Sequence, residues 1–498
     1  MGILNFFKRD ELPVADNNIT KENIKYLELV INKWLRDESR KGREEQLLAE
    51  KYYDGEQDIL SREKKVIGKD GLLVPVDNVP NNRLVDNQYR KLVDQKTNYV
   101  LGKPITIATA KSEYLKSLNK VFNKKVHRKL RTLAQNAVNG GIAYLYPFYG
   151  PDGSFNIAVF PATEICPIWS DKEHTVLDRA MRYYAEETFD HKGQTTLIHH
   201  VDLFTVDGIT HFIYKNGTLI PSKIPHSDYI YVNDKGYNWD RLPIIPFKYN
   251  SKEIPLIRDV KSLQDALNET ISEFKNRMDE DPRNAILVLE NYDGANLAEF
   301  RQMLALYGVV KVRSENGAHG GVKVLTVEVK AENYQALEMQ LKRALIENGR
   351  GFDAKEERMD GDPNQMNIES MYTDIDLDVN AMETEFQAGF EELKWFIDQY
   401  LITNGEPDYT EEPVEFVFNR DIFINEDAKI DNCMKSVGLI STKTILSRHP
   451  WVTNVEHELT QLNEDKQADM EEMEIVKNFQ VKNNNEPISS TNQGGASE

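Results

Sequence analysis

The chain has little cysteine, and this scarcity excludes two kinds of site. Only Cys166 and Cys433 occur among 498 residues, and two residues so far apart supply neither a disulfide framework nor a thiolate metal site. Long apolar runs are also missing, since none approaches the ~20 residues that a membrane helix needs. The first nine residues contain Phe6 and Phe7 but no apolar stretch of signal-peptide length. We therefore expect a soluble protein from a reducing, intracellular compartment, with no membrane partner.

Sequence motifs of catalysis are missing as well. The chain has no Gly-x-Ser-x-Gly, no His-Glu-x-x-His and no Cys–His spacing that would support nucleophilic or metal-assisted chemistry. Gly102-Lys103 does not form a phosphate loop, because Thr97 and Pro104 stand where glycine and Ser or Thr are required. We expect a protein that is not an enzyme and that binds no cofactor and no metal.

One acidic run nevertheless matches the spacing of a calcium loop. Oxygen-bearing side chains occupy positions 1, 3, 5, 7 and 12 of that pattern, namely Asp374, Asp376, Asp378, Asn380 and Glu385. Position 6 requires glycine for a sharp turn, and Val379 stands there. Since residues 379–401 show the periodicity of one unbroken helix, we favour an acidic helix N-terminus, which the helix dipole stabilises.

Three histidines on neighbouring predicted strands suggest a second possible metal site. They are His199, His200 and His211. Adjacent residues of a strand face opposite ways, so at most one of the first two can join the third. We favour separate surface or core histidines.

Positive charge is in deficit. The chain has 61 Lys and Arg against 81 Asp and Glu, a formal net charge of -20, and on average it would repel a DNA backbone. The strongest basic segment is 120–131, with Lys120, Lys124, Lys125, His127, Arg128, Lys129 and Arg131. Such a segment can bind phosphates, but we favour a solvated helical face that pairs with acidic neighbours.

Length and hydrophobic periodicity predict an α+β protein of two to four domains. Period-two segments rich in β-branched and aromatic residues predict an antiparallel sheet packed on helices, with strands at 142–148, 155–160, 176–184, 196–204, 210–214 and 414–418. Helical patterns cover 19–52, 82–100, 111–122, 126–138, 371–402, 426–437, 441–448 and 455–473.

The stretch 255–278 is the most regular helical pattern in the chain. Its apolar residues recur every three or four positions and form one stripe: Ile257, Val260, Leu263, Leu267, Ile271, Phe274 and Met278. Pro255 suits a first helical turn, and Asp281-Pro282 stops the helix. A second helical pattern follows at 331–348, so two rods enclose an insert with predicted strands at 284–289, 309–313 and 322–329 and a helix at 297–307.

Four stretches in this order resemble the portal proteins of tailed double-stranded-DNA bacteriophages, in the branch of long-tailed phages of Gram-positive hosts. They are NQYRKLVDQKTNYVLGKP at 87–104, GGIAYLYPF at 140–148, FPATEICPIW at 160–169, and LPIIPF at 242–247 running into DVKSLQDALN at 259–268. Together they place most of residues 20–440 in the order of that family.

The resemblance implies a portal-type fold: a helix-rich wing carrying an antiparallel sheet, two long stem helices, a small α+β clip and a helical crown. It also implies these boundaries: an N-terminal arm at 1–19, the wing at 20–250, the stem helices at 251–281 and 330–348, the clip at 282–329, a tunnel loop at 349–367, the wing's return at 368–425, the crown at 426–475 and a disordered tail at 476–498.

The implied function is a ring, typically of twelve subunits, at one capsid vertex, which forms the channel for packaging and ejecting double-stranded DNA. The implied partners are the terminase large subunit, the head–tail adaptor, and the major capsid and scaffolding proteins, with assembly in the host cytoplasm. DNA-facing candidates in the tunnel loop are Arg350, Lys355, Glu356, Glu357, Arg358, Met359 and Asp360. Candidates in the clip for adaptor or terminase contact are Asn291, Tyr292, Asp293, Arg313, Glu315 and Asn316. The apolar stripe of 257–278 is expected to pack against a neighbouring wall or subunit.

Two other interpretations stay open at this stage. The first is a virion scaffold or adaptor that docks partners on its long helices without forming a ring. The second is a nucleic-acid enzyme with a metal ion at Asp374–Asp378. Ring formation separates the portal from the adaptor, and metal-dependent activity identifies the enzyme.

Overall fold

The computed structural model describes residues 21–37, 42–67, 70–76, 80–189, 193–232, 235–279, 331–353, 365–420, 426–452 and most of 455–470, together with the backbone of short strands between 286 and 325. The chain divides into two compact units. One comprises Met1–Ala354 and Tyr372–Asp421, and the other Lys355–Met371 and Ile422–Glu498. No helix in the described ranges is both long and apolar enough to cross a membrane.

The described helices follow the predicted order. They are α1 (Lys21–Leu35), α2 (Arg43–Asp54), α3 (Gln88–Leu101), α4 (Ser112–Val121), α5 (Lys124–Gly140), α6 (Ile257–Asp279), α7 (Ala331–Asn348), α8 (Gln365–Thr403), α9 (Glu426–Lys435) and α10 (Thr442–Arg448). The prediction of one helix over 19–52 is wrong, because the chain leaves α1 after Leu35 and starts α2 from an extended Gly42. A Cβ at Gly42 would lie 2.3 Å from the Asp37 carbonyl oxygen, so this close return of the chain requires glycine.

Two further helix boundaries differ from the prediction. Helix α3 begins at Gln88 rather than at residue 82, with the Asn87 side chain as its N-cap, and residues 80–87 run in non-helical conformation before it. Helix α8 begins at Gln365, so the last three residues of the predicted tunnel loop, 365–367, are helical.

The strands confirm the antiparallel prediction. They are β1 (Lys65–Ile67), β2 (Leu73–Pro75), β3 (Thr106–Ala108), β4 (Ile142–Tyr149), β5 (Phe155–Pro161), β6 (Ile165–Trp169), β7 (Leu177–Phe189), β8 (Thr195–Thr205), β9 (Gly208–Lys215), β10 (Thr218–Ser227), β11 (Ile230–Val232), β12 (Lys235–Tyr237), β13 (Ile245–Lys248), β14 (Ile286–Glu290), β15 (Ser314–Glu315), β16 (Ala318–His319), β17 (Gly321–Leu325) and β18 (Glu415–Val417). The largest sheet has the order β10-β9-β8-β7-β6, and a second has the order β13-β4-β5.

The sequence analysis assigned no strand to β6 or to β10. Both contain proline, at Pro167 in β6 and at Pro221 and Pro225 in β10, and proline cannot donate to a ladder of backbone hydrogen bonds. The structure places both strands at the edges of the five-stranded sheet, where one row of backbone groups has no neighbouring strand to pair with.

Two apolar clusters hold the larger unit together. Leu27 and Ile31 of α1 pack on the five-stranded sheet against Met181, Val201 and Phe212. Helix α8 buries six apolar side chains that recur every three or four positions: Met382, Phe386, Phe390, Leu393, Ile397 and Leu401. These clusters form the scaffold on which α3 and α6 are positioned.

The insert between α6 and α7 contains β14 and β17, which match the strands predicted at 284–289 and 322–329 apart from shifted boundaries, and the two pair in antiparallel register. The predicted helix at 297–307 and strand at 309–313 lie outside the described residues. In the smaller unit, α9 and α10 match the prediction, and 457–467 is helical. The predicted disordered tail lies outside the described residues.

Candidate functional site

Helices α6 and α7, predicted at 255–278 and 331–348, form one antiparallel pair. Near the end of α6, the Phe274 ring lies 5.0 Å from the ring of Tyr334, at the start of α7. Near the start of α6, burial raises the pKa of Asp259, and the positive charge of Arg350, just beyond the end of α7, partly offsets that rise. The β14–β17 insert therefore follows one end of the pair, and residue 350 lies at the other. At ~1.5 Å per residue the ends of α6 lie ~33 Å apart.

The predicted apolar stripe of α6 is only partly available to another subunit. Ile257, Val260 and Leu267 are already buried within the chain, so the expectation that the stripe needs a neighbour to cover it is wrong for these three. Leu263, Ile271 and Phe274 are half-buried. Met278 is 66% exposed and is the one residue of the stripe that stays largely open.

Part of the buried face of α6 is polar. Four side chains spaced four residues apart are each at most 1% exposed, and we call them the polar ladder: Gln264, Asn268, Ser272 and Asn276. Residues four apart stack along one face of a helix. Buried polar side chains of this kind cost free energy unless each finds a hydrogen-bond partner.

The partners are backbone groups of residues 80–87, which we call the strap. Three of its N–H groups donate to the ladder: Asn82 to Asn276 Oδ1 at 2.6 Å, Leu84 to Ser272 Oγ at 2.9 Å and Asp86 to Asn268 Oδ1 at 2.9 Å. Two residues of extended chain rise ~6.6 Å, and four residues of helix rise ~6.0 Å. The two periods match closely enough for three successive bonds, so α6 supplies the acceptors that a neighbouring strand would supply in a sheet.

The ladder also reaches the start of α3 and the residues around it. Tyr89 N–H donates to Gln264 Oε1 at 3.0 Å, and Gln264 Nε2 donates to the Asp86 carbonyl at 2.7 Å. Asn268 Nδ2 donates to Gln57 Oε1 at 2.5 Å. Helix α3 is therefore tied to α6 through a continuous hydrogen-bond network.

The strap touches α7 as well. The Asp86 carboxylate lies 2.9 Å from Lys342 Nζ on α7, while its backbone is bonded to α6. Toward the C-terminal end of α6, Glu273 forms ion pairs with Arg62 at 3.1 Å and with Lys64 at 3.4 Å. Arg62, Lys64 and the strap thus contact α6, and the strap also contacts α7 through Asp86.

A compact ionic cluster lies where the chain leaves α7. Arg350 has a positive φ of 48°, a conformation that costs a non-glycine residue about 1–3 kcal/mol. The surrounding groups hold it there: Lys96 Nζ donates to the Arg350 carbonyl at 3.1 Å, and the Arg350 guanidinium donates to Asp378 Oδ1 at 3.2 Å. The second Asp378 oxygen accepts from Lys96 Nζ and from the Tyr249 hydroxyl, both at 2.5 Å.

Burial governs the protonation of this cluster. The Lys96 side chain is fully buried, and removal from water lowers its pKa, an effect that the Asp378 charge only partly offsets. Burial, together with the same carboxylate, raises the pKa of Tyr249. The hydroxyl therefore keeps its proton and can donate to Asp378. The cluster therefore connects three elements beside Arg350: α3 through Lys96, the end of β13 through Tyr249, and α8 through Asp378.

Aromatic stacking brings the two flanks of residues 354–371 together. The Phe352 ring lies 4.3 Å from that of Tyr372 in a nearly parallel stack, and Tyr99 of α3 stacks on Tyr372 at 5.8 Å. The Gln95 amide donates to the Phe352 carbonyl at 2.6 Å and accepts its N–H at 3.2 Å. We call the ionic cluster and this stack the loop base.

Most of the predicted channel and docking residues lie outside the described residues. Of the tunnel-loop candidates, Arg350 lies in the loop base with its side chain 61% exposed. Lys355, Glu356, Glu357, Arg358, Met359 and Asp360 lie outside the described residues. Of the clip candidates, Glu315 is in β15, and Asn291, Tyr292, Asp293, Arg313 and Asn316 lie outside the described residues.

The residues of the possible calcium loop lie within α8, which begins at Gln365. A continuous helix does not wrap ligands around an ion, and the interpretation as a helix N-terminus is also wrong, because Asp374 lies more than two turns inside. Three side chains of this run, Asp376, Asp378 and Asn380, have protein partners. Asp376 accepts from the Tyr99 hydroxyl at 2.6 Å and from Arg420 at 2.7 Å. No group of residues in the described ranges has the arrangement of a metal site.

The three histidines each have separate partners. Tyr183 OH lies 2.8 Å from His199 Nδ1. His211 lies between Asp202, 2.7 Å from Nδ1, and Ser227, 2.8 Å from Nε2. The ring of His200 stacks on the neighbouring strand's Tyr184. The interpretation as separate histidines fits these contacts.

The basic segment is split between α4 and the start of α5. Lys124, Lys125 and Arg128 are exposed, whereas Lys129 donates to the Ile157 carbonyl and Arg131 to Asn98 Oδ1. These last two acceptors are neutral, so the expected pairing with acidic neighbours is not what holds them.

Comparison with known proteins identifies the family. The family model described as phage portal protein, SPP1 Gp6-like, matches residues 32–472. The chain belongs to this family of phage portal proteins. Its members are structural rather than enzymatic.

Two portal proteins illustrate the relationship. The portal protein of Bacillus phage SPP1 is 28% identical over 427 residues, 83% of this chain and 82% of the relative. The portal protein of Clostridium phage phiCD119 is 28% identical over 426 residues, 83% of this chain and 91% of the relative. Both phages infect Gram-positive hosts, as the resemblance in the sequence predicted.

Solved structures show a more distant likeness. The neck of an empty GTA particle computed with C6 symmetry covers 72% of this chain and 88% of its own, with a TM-score of 0.41 and 12% identity. The virion of a native gene transfer agent particle covers 72% and 87%, with a TM-score of 0.36 and 12% identity. TM-scores this low add nothing to the family assignment.

Proposed function

We propose that this portal protein forms a ring of twelve copies at one vertex of the phage capsid and that double-stranded DNA is packaged and ejected through its channel. The terminase large subunit and the head–tail adaptor dock on the ring, which the major capsid and scaffolding proteins surround. The ring assembles in the host cytoplasm and remains in the virion. The observation that carries this proposal is the family match over 32–472.

The proposed regions follow the fold. Helices α6 and α7 are the stem, the insert with β14 and β17 is the clip, and the larger unit's remaining elements form the wing. The tunnel loop is shortened to 349–364, since α8 starts at Gln365. The ~33 Å length of α6 separates the clip from the loop base, which supports a stem that spans from the docking end to the narrow part of the channel.

The charge of the chain supports a passage rather than a clamp for DNA. A protein that neutralises many phosphates binds DNA tightly, whereas each copy here carries a formal net charge of -20. Within the proposed tunnel loop, Lys355 and Arg358 stand among Asp353, Glu356 and Glu357. This mixture suits weak contacts that form and break as DNA moves.

The loop base supports the position of the tunnel loop. A channel loop that contacts moving DNA needs a fixed attachment, and contacts hold the first residues of this loop: Arg350 bonds to Lys96 and Asp378, and Phe352 stacks on Tyr372. These residues follow the end of α7, and Tyr372, about two turns inside α8, stacks on both Phe352 and Tyr99 of α3.

Deleting 355–360 tests the loop assignment. We expect the variant to assemble rings of wild-type mass, because the deleted residues lie beyond Arg350 and Phe352 of the loop base, and to fill capsids with DNA poorly. The measurement is the fraction of nuclease-protected DNA in capsids assembled with each chain.

The control for this deletion replaces the same six residues with Gly and Ser, which keeps the length and removes the side chains. A packaging defect in both variants assigns the effect to the side chains, and a defect in the deletion alone assigns it to loop length. Full packaging by both variants would contradict the assignment of 349–364 as the tunnel loop.

A further inference from the structure

The smaller unit has little internal core. Among its described residues Cys433 is the one buried apolar side chain, with its Sγ 4.0 Å from the Ile445 carbonyl. No residue of α10 is buried. Isolated helices of seven to ten residues are unstable in water without tertiary packing, so this unit needs a covering surface.

One apolar surface in the unit is prominently open. It consists of the end of α9 and the turn that follows, and we call it the turn patch: Met434, Val437, Leu439 and Ile440. Leu439 is 81% exposed and Val437 is 69% exposed. The turn is ordered by Gly438 in a left-handed conformation and by a bond from Leu439 N–H to the Ser436 carbonyl. The fold therefore presents these side chains to solvent from a fixed turn.

From Asn432 onward, the charge around the turn patch is positive. Between 432 and 450 the chain has Lys435, Lys443 and Arg448 and no carboxylate. The next segment has the opposite sign, since 455–476 contains eight carboxylates and the single cation Lys466. Its described helical part, 457–467, which we call the acidic helix, carries exposed Glu464 and Asp465 and half-buried Leu459 and Leu462.

The chain's own acidic helix does not cover its turn patch, because the structure contains both and Leu439 remains open. We propose that the turn patch of one copy docks on the acidic helix of the adjacent copy. The apolar side chains would meet the leucine face of that helix, and the flanking cations would meet its carboxylates. A head-to-tail contact of this kind uses two different surfaces of each copy and closes when repeated around a ring.

This inference rests on the proposed ring, and charge reversal tests it separately. In full-length chains, Lys435→Glu with Arg448→Glu places like charges opposite each other, as does Glu464→Lys with Asp465→Lys. Each pair of changes should raise the protein concentration needed for half-assembly about tenfold. All four changes in one chain restore opposite charges at every contact and should bring assembly back toward the wild-type value. Sedimentation velocity measures the ring fraction.

Leu439→Asp tests the apolar part and should weaken assembly at any ionic strength, whereas the charge reversals should lose their effect at high salt. Leu197→Asp is the matched control, since Leu197 is an exposed leucine of the larger unit. Rings that form equally well from wild type, both reversals and Leu439→Asp would overturn the contact while leaving the ring intact. A wild-type chain that never forms rings would instead overturn the proposed function.

The segment 471–498 is the other possible occupant of the turn patch. A chain that ends at Met470 should assemble as wild type does. If this truncation weakens assembly as much as Leu439→Asp, and the two changes together do no more than either alone, the chain's own tail covers the patch and the proposal is wrong.

Discussion

Replacing Lys96 with Met should destabilise the larger unit by about 4 kcal/mol. The change keeps most of the side-chain volume but removes the ammonium group from a fully buried position. It leaves the Asp378 carboxylate with Tyr249 and Arg350 only and leaves the Arg350 carbonyl without its donor. The loss of stability is measured as the shift in the guanidinium unfolding transition of the larger unit. Amide hydrogen exchange at residues 350–353 should become faster.

Two variants control for this result. Lys91→Met makes the same chemical change on an exposed position of α3 and should alter stability by less than about 0.5 kcal/mol. Lys96→Met combined with Asp378→Leu removes both charges, and because no uncompensated buried charge remains, part of the stability should return. An equal loss from Lys91→Met, or no recovery in the double variant, would contradict a pairing role for Lys96.

Asn268→Leu should cost about 3 kcal/mol, because it removes a side chain with three bonds at the centre of the polar ladder. The Asp86 N–H and the Gln57 carboxamide oxygen lose their partner in a buried site, and each unsatisfied buried group costs about 1–3 kcal/mol. Hydrogen exchange at residues 82–89 should rise in the variant, and thermal unfolding should begin at a lower temperature.

Glu269→Leu is the control for the ladder, since it adds the same residue at the next, exposed position of α6. It should leave exchange in the strap unchanged. If Asn268→Leu left exchange at residues 82–89 at the wild-type level, the ladder would not be what holds the strap on α6.

The sequence predicted the helices and the main strands well because their periodicity reflects which face is buried. It failed for the strap. Residues 82–87 were predicted to be helical because the helical pattern of α3 was extended backward over them. Their non-helical conformation is instead set by side chains of α6, almost 200 positions away in the chain. The polar part of the buried face of α6 was missed for a related reason: apolar periodicity does not report buried polar side chains. The spacing of Gln264, Asn268, Ser272 and Asn276 every four residues is the signal that was there to be read.

The loop base shows the same limit at the candidate site. Arg350 was identified from its place in the order of elements, but Lys96, Tyr249 and Asp378 come from three distant segments. Asp378 was noticed for a calcium spacing that the helix makes impossible. A lone lysine in a helical pattern gives no sign that it is buried, because lysine is usually exposed and the carboxylate that pairs with it lies 282 positions away.

The mass and shape of the purified particle test the ring most directly. Twelve copies of 57.4 kDa give a particle of about 689 kDa with a central hole in electron micrographs, and this is the result that the portal assignment predicts. The sample should be measured alone and with capsid and scaffolding proteins, its proposed partners. A chain that stays monomeric even in their presence would contradict the ring and favour a virion adaptor that works without one.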